Sequence, residues 1–222
     1  TLSAALVSEV IAGARSKGMV TFMKHFALND EECNRDTDGI ATWADEQTMR
    51  ENYLKPFEWA VKKGGSNGAM SSFNRIGFTW SGANYELLHD VLRGEWGFTG
   101  VVITDAHSSG QGCMNGNQMI RAGNDMSLDS REASVARIVN SDEANTPTQL
   151  TALHNTLKNI LYNQLNSAGM TYAENVINSG LTYNPTPGEE IVNEGSSGTS
   201  ISYGPNYMAE AKPGDAVELN VS

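Results

Sequence analysis

The sequence predicts an α/β protein of about four strand–helix units over residues 1–170, followed by an irregular or β-rich tail over 171–222. Three observations predict it. Short β-branched or small-residue runs, such as VVITD (101–105) and GAMSSFN (68–74), end in polar residues. Between them lie segments whose apolar residues recur at helical spacing. From about residue 171 that periodicity stops, and Gly, Pro, Ser and Asn dominate. Strands alternating with helices imply parallel βαβ units. Such units fit either part of a doubly wound sheet or half of an eight-stranded barrel. A complete barrel needs about 250 residues, so residues 1–170 are too few for one.

Each element has its own signal. Leu2, Leu6, Val10 and Ile11 share one face of a first helix, which Gly18 ends. MVTFMKH (19–25) reads as a buried strand. Thr42 is placed to cap a long helix from 43 to about 63, with Asp45 at its third position. Tyr53, Phe57 and Val61 would form its buried face. GAMSSFN is the second strand. A helix over 83–93 would bury Leu87, Leu88, Val91 and Leu92, and VVITD is the third strand. A weaker fourth strand is expected around 119–128. Thr146-Pro147-Thr148-Gln149 is a strong helix start. Leu150, Leu153, Leu157, Leu161 and Leu165 carry that helix to about 168.

The net charge of −11 disfavours nucleic acid phosphates and anionic membranes as partners. No run approaches the roughly 20 apolar residues of a membrane-spanning helix. The chain begins without Met and directly in a helical pattern, so the start reads as internal, with further sequence expected upstream. Cys33 and Cys113 have no metal-like spacing. No Gly-rich phosphate loop or His/Asp metal pattern is present.

In parallel α/β folds the working residues sit at the carboxyl ends of strands. Here those ends carry Lys24-His25, Ser71 to Arg75, and Thr104-Asp105, and loops add Arg35, His107 and Ser108. Such a cluster suits a hydroxyl-rich substrate, with one carboxylate able to attack carbon. Each residue also has a plainer reading. An aspartate at a strand end is more often a cap than a nucleophile. His25 fits a satisfied core histidine, and Lys24-His25 a surface coincidence. Trp43, Trp59, Trp80 and Trp96 are as readily core as sugar platforms. Pattern alone stops at an α/β enzyme of unassigned chemistry.

Three long segments go further. KHFALNDEECNR (24–35), AMSSFNRIG (69–77) and LLHDVLRGEWGFTGVVITDA (87–106) closely resemble, in order, glycoside hydrolase family 3. The resemblance covers about residues 1–170. It implies the second half of a TIM-like (β/α)8 barrel, with these strands the last four of eight. It implies that Asp105 is the catalytic nucleophile and that Lys24, His25 and Arg35 bind hydroxyls of the sugar being cleaved. KHFALNDEE differs from the KHFPGHG-type motif of the family's hexosaminidases. It favours the β-glucosidase and β-xylosidase branch, whose general acid lies on a separate α/β sandwich domain. Residues 154–170 resemble the barrel end of members with reversed domain order, so the missing half-barrel and sandwich domain are expected in the same polypeptide. Two positions depart from the family pattern. Phe73 stands where a Tyr is frequent, in a place to touch substrate and nucleophile. Ala106 follows the nucleophile where many members have Trp, leaving Trp80 or His107 as candidate replacements for a sugar-stacking wall.

The implied reaction is retaining hydrolysis of a β-linked oligosaccharide or aryl glycoside, without metal or organic cofactor. Xylosidase or arabinosidase activity, or a catalytically silent carbohydrate-binding fragment, are the alternatives. An extracellular or cell-surface location is slightly favoured over a cytoplasmic one.

Overall fold

Four parallel strands, paired in chain order, form the centre of the protein. In the computed structural model these are β1 (Phe22–Phe26), β3 (Gly68–Ser71), β6 (Val101–Ala106) and β7 (Met126–Leu128). The structure describes residues 2–35, 39–106, 114–129 and 145–169, and the backbone of 193–194 and 200–201. Chain-order parallel pairing confirms the α/β expectation. The four strands do not close into a barrel.

Register aligns the strands closely: Phe22 faces Gly68, Gly68 faces Val101, and Ile103 faces Met126. Gly100 is required at the entry to β6, because a Cβ there would lie 1.9 Å from the Asn67 carbonyl oxygen. That carbonyl accepts the Val101 N–H at 3.0 Å, which starts the β3–β6 pairing. A small second sheet joins β2 (Ala41–Thr42), β4 (Arg75–Ile76) and β5 (Thr79–Trp80). It lies in the segments that follow β1 and β3.

Helices α1 (Leu2–Arg15) and α3 (Lys55–Lys62) pack together, and the helix Glu86–Glu95 precedes β6. Phe26, Leu88, Leu92 and Val102 are fully buried in the main core, with Leu54, Leu87, Trp96 and Phe98 around them. The Phe26 ring meets Phe57 and Trp96 edge-on at 5.1 and 5.8 Å. Hydrophobic burial of this kind is the main favourable term in folding.

Several elements differ from expectation. Asp45, not Thr42, caps the second helical region, accepting the Thr48 N–H at 2.9 Å. Thr42 belongs to β2 and donates its hydroxyl to the Arg75 carbonyl at 2.8 Å. The expected 43–63 helix is three pieces: α2 (Glu46–Thr48), a π-type turn (Met49–Tyr53) and α3. Pro56 has no N–H to continue the ladder, so the chain restarts at Lys55. Leu54 instead donates to Met49, five residues back, at 2.8 Å. Tyr53 turns outward, while Val61 is buried. Residues 119–122 are helical, within α4 (Gly116–Ala122). Asn115 caps that helix, and Gly123 ends it in the left-handed region at φ 93°. On α1 the buried residues are Ala4, Ser8 and Ile11, while Leu2, Leu6 and Val10 are exposed. The last helix, α5 (Pro147–Leu165), starts as expected, with Thr146 accepting the Gln149 N–H. Yet Gln149, Thr156 and Asn163 are its buried residues, while Leu150, Leu157, Leu161 and Leu165 are exposed. Helical period identifies a helix but not which face meets the rest of the chain.

Polar contacts set the course of α5. Asn159 donates to Asp125, just ahead of β7, at 2.8 Å. Past the helix, the Ala168 N–H donates to the Gly18 carbonyl, ahead of β1, at 2.9 Å. The later part of the segment therefore reaches the amino ends of the strands, while Ala152 and Leu153 pack against the Phe73, Trp80 and Met119 cluster. Asp125 also accepts Arg93 at 2.7 Å and the Val102 N–H at 2.9 Å. Burial pushes its carboxyl up, against Arg93, Asn159 and the Val102 N–H, all of which favour the ionised form.

The chain divides into two units, residues 1–174 and 175–222. In the second, β8 (Asn193–Glu194) pairs antiparallel with β9 (Ser200–Ile201). Most of the expected 171–222 tail lies outside the described residues. Among the described residues no helix is long and apolar enough to cross a membrane.

The Asp125 cluster yields a stability prediction. Asp125→Ala would leave the part-buried Arg93 guanidinium without its carboxylate partner, with only the Gly100 and Gly123 carbonyls remaining, and breaking such a pair costs about 3–5 kcal/mol. Urea denaturation of the variant checks this, and a loss below ~1 kcal/mol would show the pair to be dispensable.

Candidate active site

The carboxyl ends of β1, β3 and β6 lie on one edge of the sheet, and side chains from these ends converge on Asp105. Its residue is only 9% exposed. Oδ2 lies 3.2 Å from His25 Nε2 and accepts Arg35 Nη1 at 3.1 Å. Oδ1 accepts the Ala106 N–H at 2.8 Å. His25 comes from β1, and Arg35 from the loop after it. Their sequence distances from Asp105 are large; only the sheet brings them together.

Burial pushes His25 below its ordinary pKa. Asp105 pulls the other way, while the Lys24 and Arg35 cations reinforce the burial. Nε2 of the imidazole is the nitrogen turned toward Asp105, while the ring itself is held on β1. Its Nδ1 faces the Asn29 amide nitrogen at 3.5 Å. For Arg35, burial opposes the charge, but hydrogen bonds to Glu32 and Asp105 outweigh it and raise its pKa. The guanidinium also lies over the Phe73 ring, 4.8 Å from its centroid. Phe73 is 4% exposed and packs beneath Arg35. Lys24 is exposed and makes no hydrogen bond or ion pair among the described residues. Of the carboxylates between the two cations, Glu32 pairs with Arg35, while Glu31 accepts the Cys33 N–H.

Supporting residues that the sequence reading left without a role hold the strand ends in place. Asn74 is fully buried and donates to the Ala27 carbonyl at 3.1 Å and to Thr42 at 3.0 Å. Ser81 donates to the Phe26 carbonyl at 2.8 Å. Asn124 donates to Ser71 at 2.9 Å, and the Leu128 N–H donates to Thr104 at 3.0 Å. These ties connect β1, β3, β6 and β7 just behind the site. The signal for them was a set of small polar residues at strand ends, where hydrophobic residues would extend the strand.

The tryptophans separate by environment. Trp80 is 4% exposed and donates to the Ser72 carbonyl at 2.9 Å, so it is core and cannot replace a stacking wall. Trp96 is core too, and Lys63 sits over Trp59. Trp43 alone of the four is broadly exposed. His107, Ser108 and Cys113 lie outside the described residues. Cys33 is exposed and free. The arrangement offers one oriented carboxylate, a guanidinium donor and an imidazole nitrogen at one of its oxygens, and a lysine adjacent to that histidine in the chain.

Comparison with known proteins identifies the family of the chain. Residues 1–146 match the sequence model described as the glycosyl hydrolase family 3 N terminal domain. A beta-glucosidase of Rhizobium radiobacter is 44% identical over 113 residues, 50% of this chain and 14% of that protein. The chain thus spans about one-seventh of that relative's length. Among solved structures, beta-glucosidase 3B from Thermotoga neapolitana has TM-score 0.65 at 30% identity, covering 74% of this chain and 23% of that one. A beta-glucosidase from Paenibacillus barengoltzii has TM-score 0.67 at 28% identity, covering 82% and 20%. These neighbours bear out the TIM-like barrel class that the strand–helix alternation alone left open. With well over half of its residues matched by the family's sequence model, this chain belongs to glycosyl hydrolase family 3.

Proposed function

We propose that this chain is part of a retaining glycoside hydrolase of β-glucosidase type, with Asp105 as nucleophile. The observation that carries the reading is the convergence of His25 and Arg35 on one Asp105 oxygen at a solvent-facing strand end. Held so, the carboxylate attacks the anomeric carbon. The glycosidic C–O bond breaks as the enzyme–sugar ester forms, and a second carboxyl, about 5–5.5 Å away, protonates the leaving oxygen. Water then cleaves the ester, with that second group acting as base. Arg35, His25 and Lys24 serve to grip sugar hydroxyls and orient the ring, a contribution that can be large. Phe73 contributes by packing under Arg35 rather than through a hydroxyl.

The second carboxyl is proposed to come from outside residues 1–222, as is the rest of the barrel. The apolar faces of α1 and α5 support this, since Leu2, Leu6, Val10, Leu157 and Leu161 are surface that further packing would cover. Among the described residues, no strand pairs with the outer edges of β1 and β7.

Three outcomes are expected. In the complete polypeptide, Asp105→Asn should fold normally and lose most turnover of an aryl β-glucoside, because an amide is a poor nucleophile. Near-normal turnover by that variant would remove Asp105 from the chemistry. Lys24→Ala and Arg35→Ala should each lower kcat/KM by ~10- to 150-fold, from lost charged hydrogen bonds of about 1.5–3 kcal/mol. A changed melting temperature with unchanged kinetics would make them structural. Residues 1–222 alone should be poorly stable and inactive on aryl β-glucosides and β-xylosides. Turnover comparable to the complete polypeptide would place the acid within this segment.

A further inference from the structure

Arg35 holds Asp105 by one nitrogen only. An arginine beside a carboxylate is frequently bidentate, with two parallel N–H bonds, one to each oxygen. Here Nη1 donates to Oδ2 at 3.1 Å, and Oδ1 has just the Ala106 N–H at 2.8 Å. Among the described residues no side chain donates to Oδ1, and Nη2 of Arg35 has no partner.

The loop after β1 supplies the reason. Glu32 accepts the Nε–H of Arg35 at 2.5 Å. The two residues lie outside any helix, and Asn34, at φ 60°, turns the chain between them. Asparagine is among the few residues that enter this left-handed region readily. Glu31 accepts the Cys33 N–H at 2.8 Å and steadies the same turn. Beneath the guanidinium lies the buried Phe73 ring, 4.8 Å from centroid to Cζ. A guanidinium is a rigid planar fork. With its plane set by Phe73 and its Nε–H by Glu32, the directions of Nη1 and Nη2 are settled too.

We infer that Glu32 is a positioning residue for the reaction, holding Arg35 by Nε so that Asp105 keeps Oδ1 clear of the guanidinium and Nη2 stays open to a sugar hydroxyl. The role in turnover rests on the proposed hydrolase activity; the control of Arg35 does not. Without Glu32 nothing opposes rotation of the fork onto both Asp105 oxygens. The carboxylate would then have to break a further charged hydrogen bond before attacking carbon. The Glu32 side chain is 72% exposed and that of Arg35 18%. A pair so open to water adds little to stability. Its effect is directional, and activity and stability should therefore respond differently to its loss.

Glu32→Ala and Glu32→Gln in the complete polypeptide test this. Glu32→Ala should lower kcat for an aryl β-glucoside about tenfold, with a smaller change in KM and an unchanged melting temperature. Glu32→Gln retains an amide oxygen that accepts the Nε–H, and should recover most of the loss. An unchanged kcat in Glu32→Ala, a loss that Glu32→Gln does not recover, or a loss that follows a fall in melting temperature would overturn the positioning role. A crystal structure of the Glu32→Ala polypeptide gives a readout independent of turnover. Arg35 should there donate to both Asp105 oxygens, and contact with Oδ2 alone would count against the inference. If the unmutated polypeptide cleaves no glycoside while Arg35 closes on Asp105 in the variant, the control of Arg35 by Glu32 stands and the hydrolase reading falls. Normal cleavage with Arg35 unmoved would do the reverse.

Discussion

Parallel pairing in chain order is the constraint on which the site depends. A parallel sheet needs a crossover between strands, and every crossover leaves from the same edge. β1, β3 and β6 therefore deliver Phe26, Ser71 and Asp105 to one rim, whatever lies in the connections. The Gly68 and Gly100 positions let neighbouring backbones come close enough for this register. Slip of one residue would turn Asp105 to the opposite face, away from His25 and Arg35.

The two edges of the sheet use similar groups for different ends. Near the amino ends, Asp125 and Arg93 form an ion pair whose carboxylate side chain is 1% exposed. Its other bonds go to the backbone of β6 and to Asn159 of α5, so every acceptor is committed to holding elements together. At the carboxyl ends, Asp105 also meets an arginine, but its side chain is 12% exposed and one oxygen has only the neighbouring backbone N–H. Both are arginine–aspartate pairs at strand ends. Exposure and spare bonding capacity distinguish a strut from a group free to meet a substrate.

Behind the rim lies a polar layer of Ser71, Ser72, Asn74, Ser81, Thr104 and Asn124, all buried. Groups buried like this are costly unless paired, and the pairing here runs between successive strand ends. The layer keeps the loops after β1 and β3 at fixed distances from β6. This rigidity also supports the hairpin that carries Phe78, because Ser81 belongs to the layer and Trp80 bonds the Ser72 carbonyl.

Much was decided by sequence. Alternating strands and helices, VVITD ending in Asp105, and the three long motifs defined an α/β protein of this family and named Asp105, Lys24, His25 and Arg35 as its candidate site. Local signals also placed the start of α5, because Thr146, Pro147 and Gln149 act within one turn. What only the tertiary structure decided was which surface each pattern meets. The leucines of α5 and Leu2, Leu6 and Val10 of α1 have helical spacing but face outward, since spacing reports a periodicity and not a partner. Thr42 looked like a cap, yet a strand of the second sheet claimed it and Asp45 took the cap. Trp80 and Trp43 are chemically alike in sequence, and only packing makes one core and leaves the other in water. Contact of His25 and Arg35 with one Asp105 oxygen likewise depends on a register between strands far apart in the chain, which no local signal encodes.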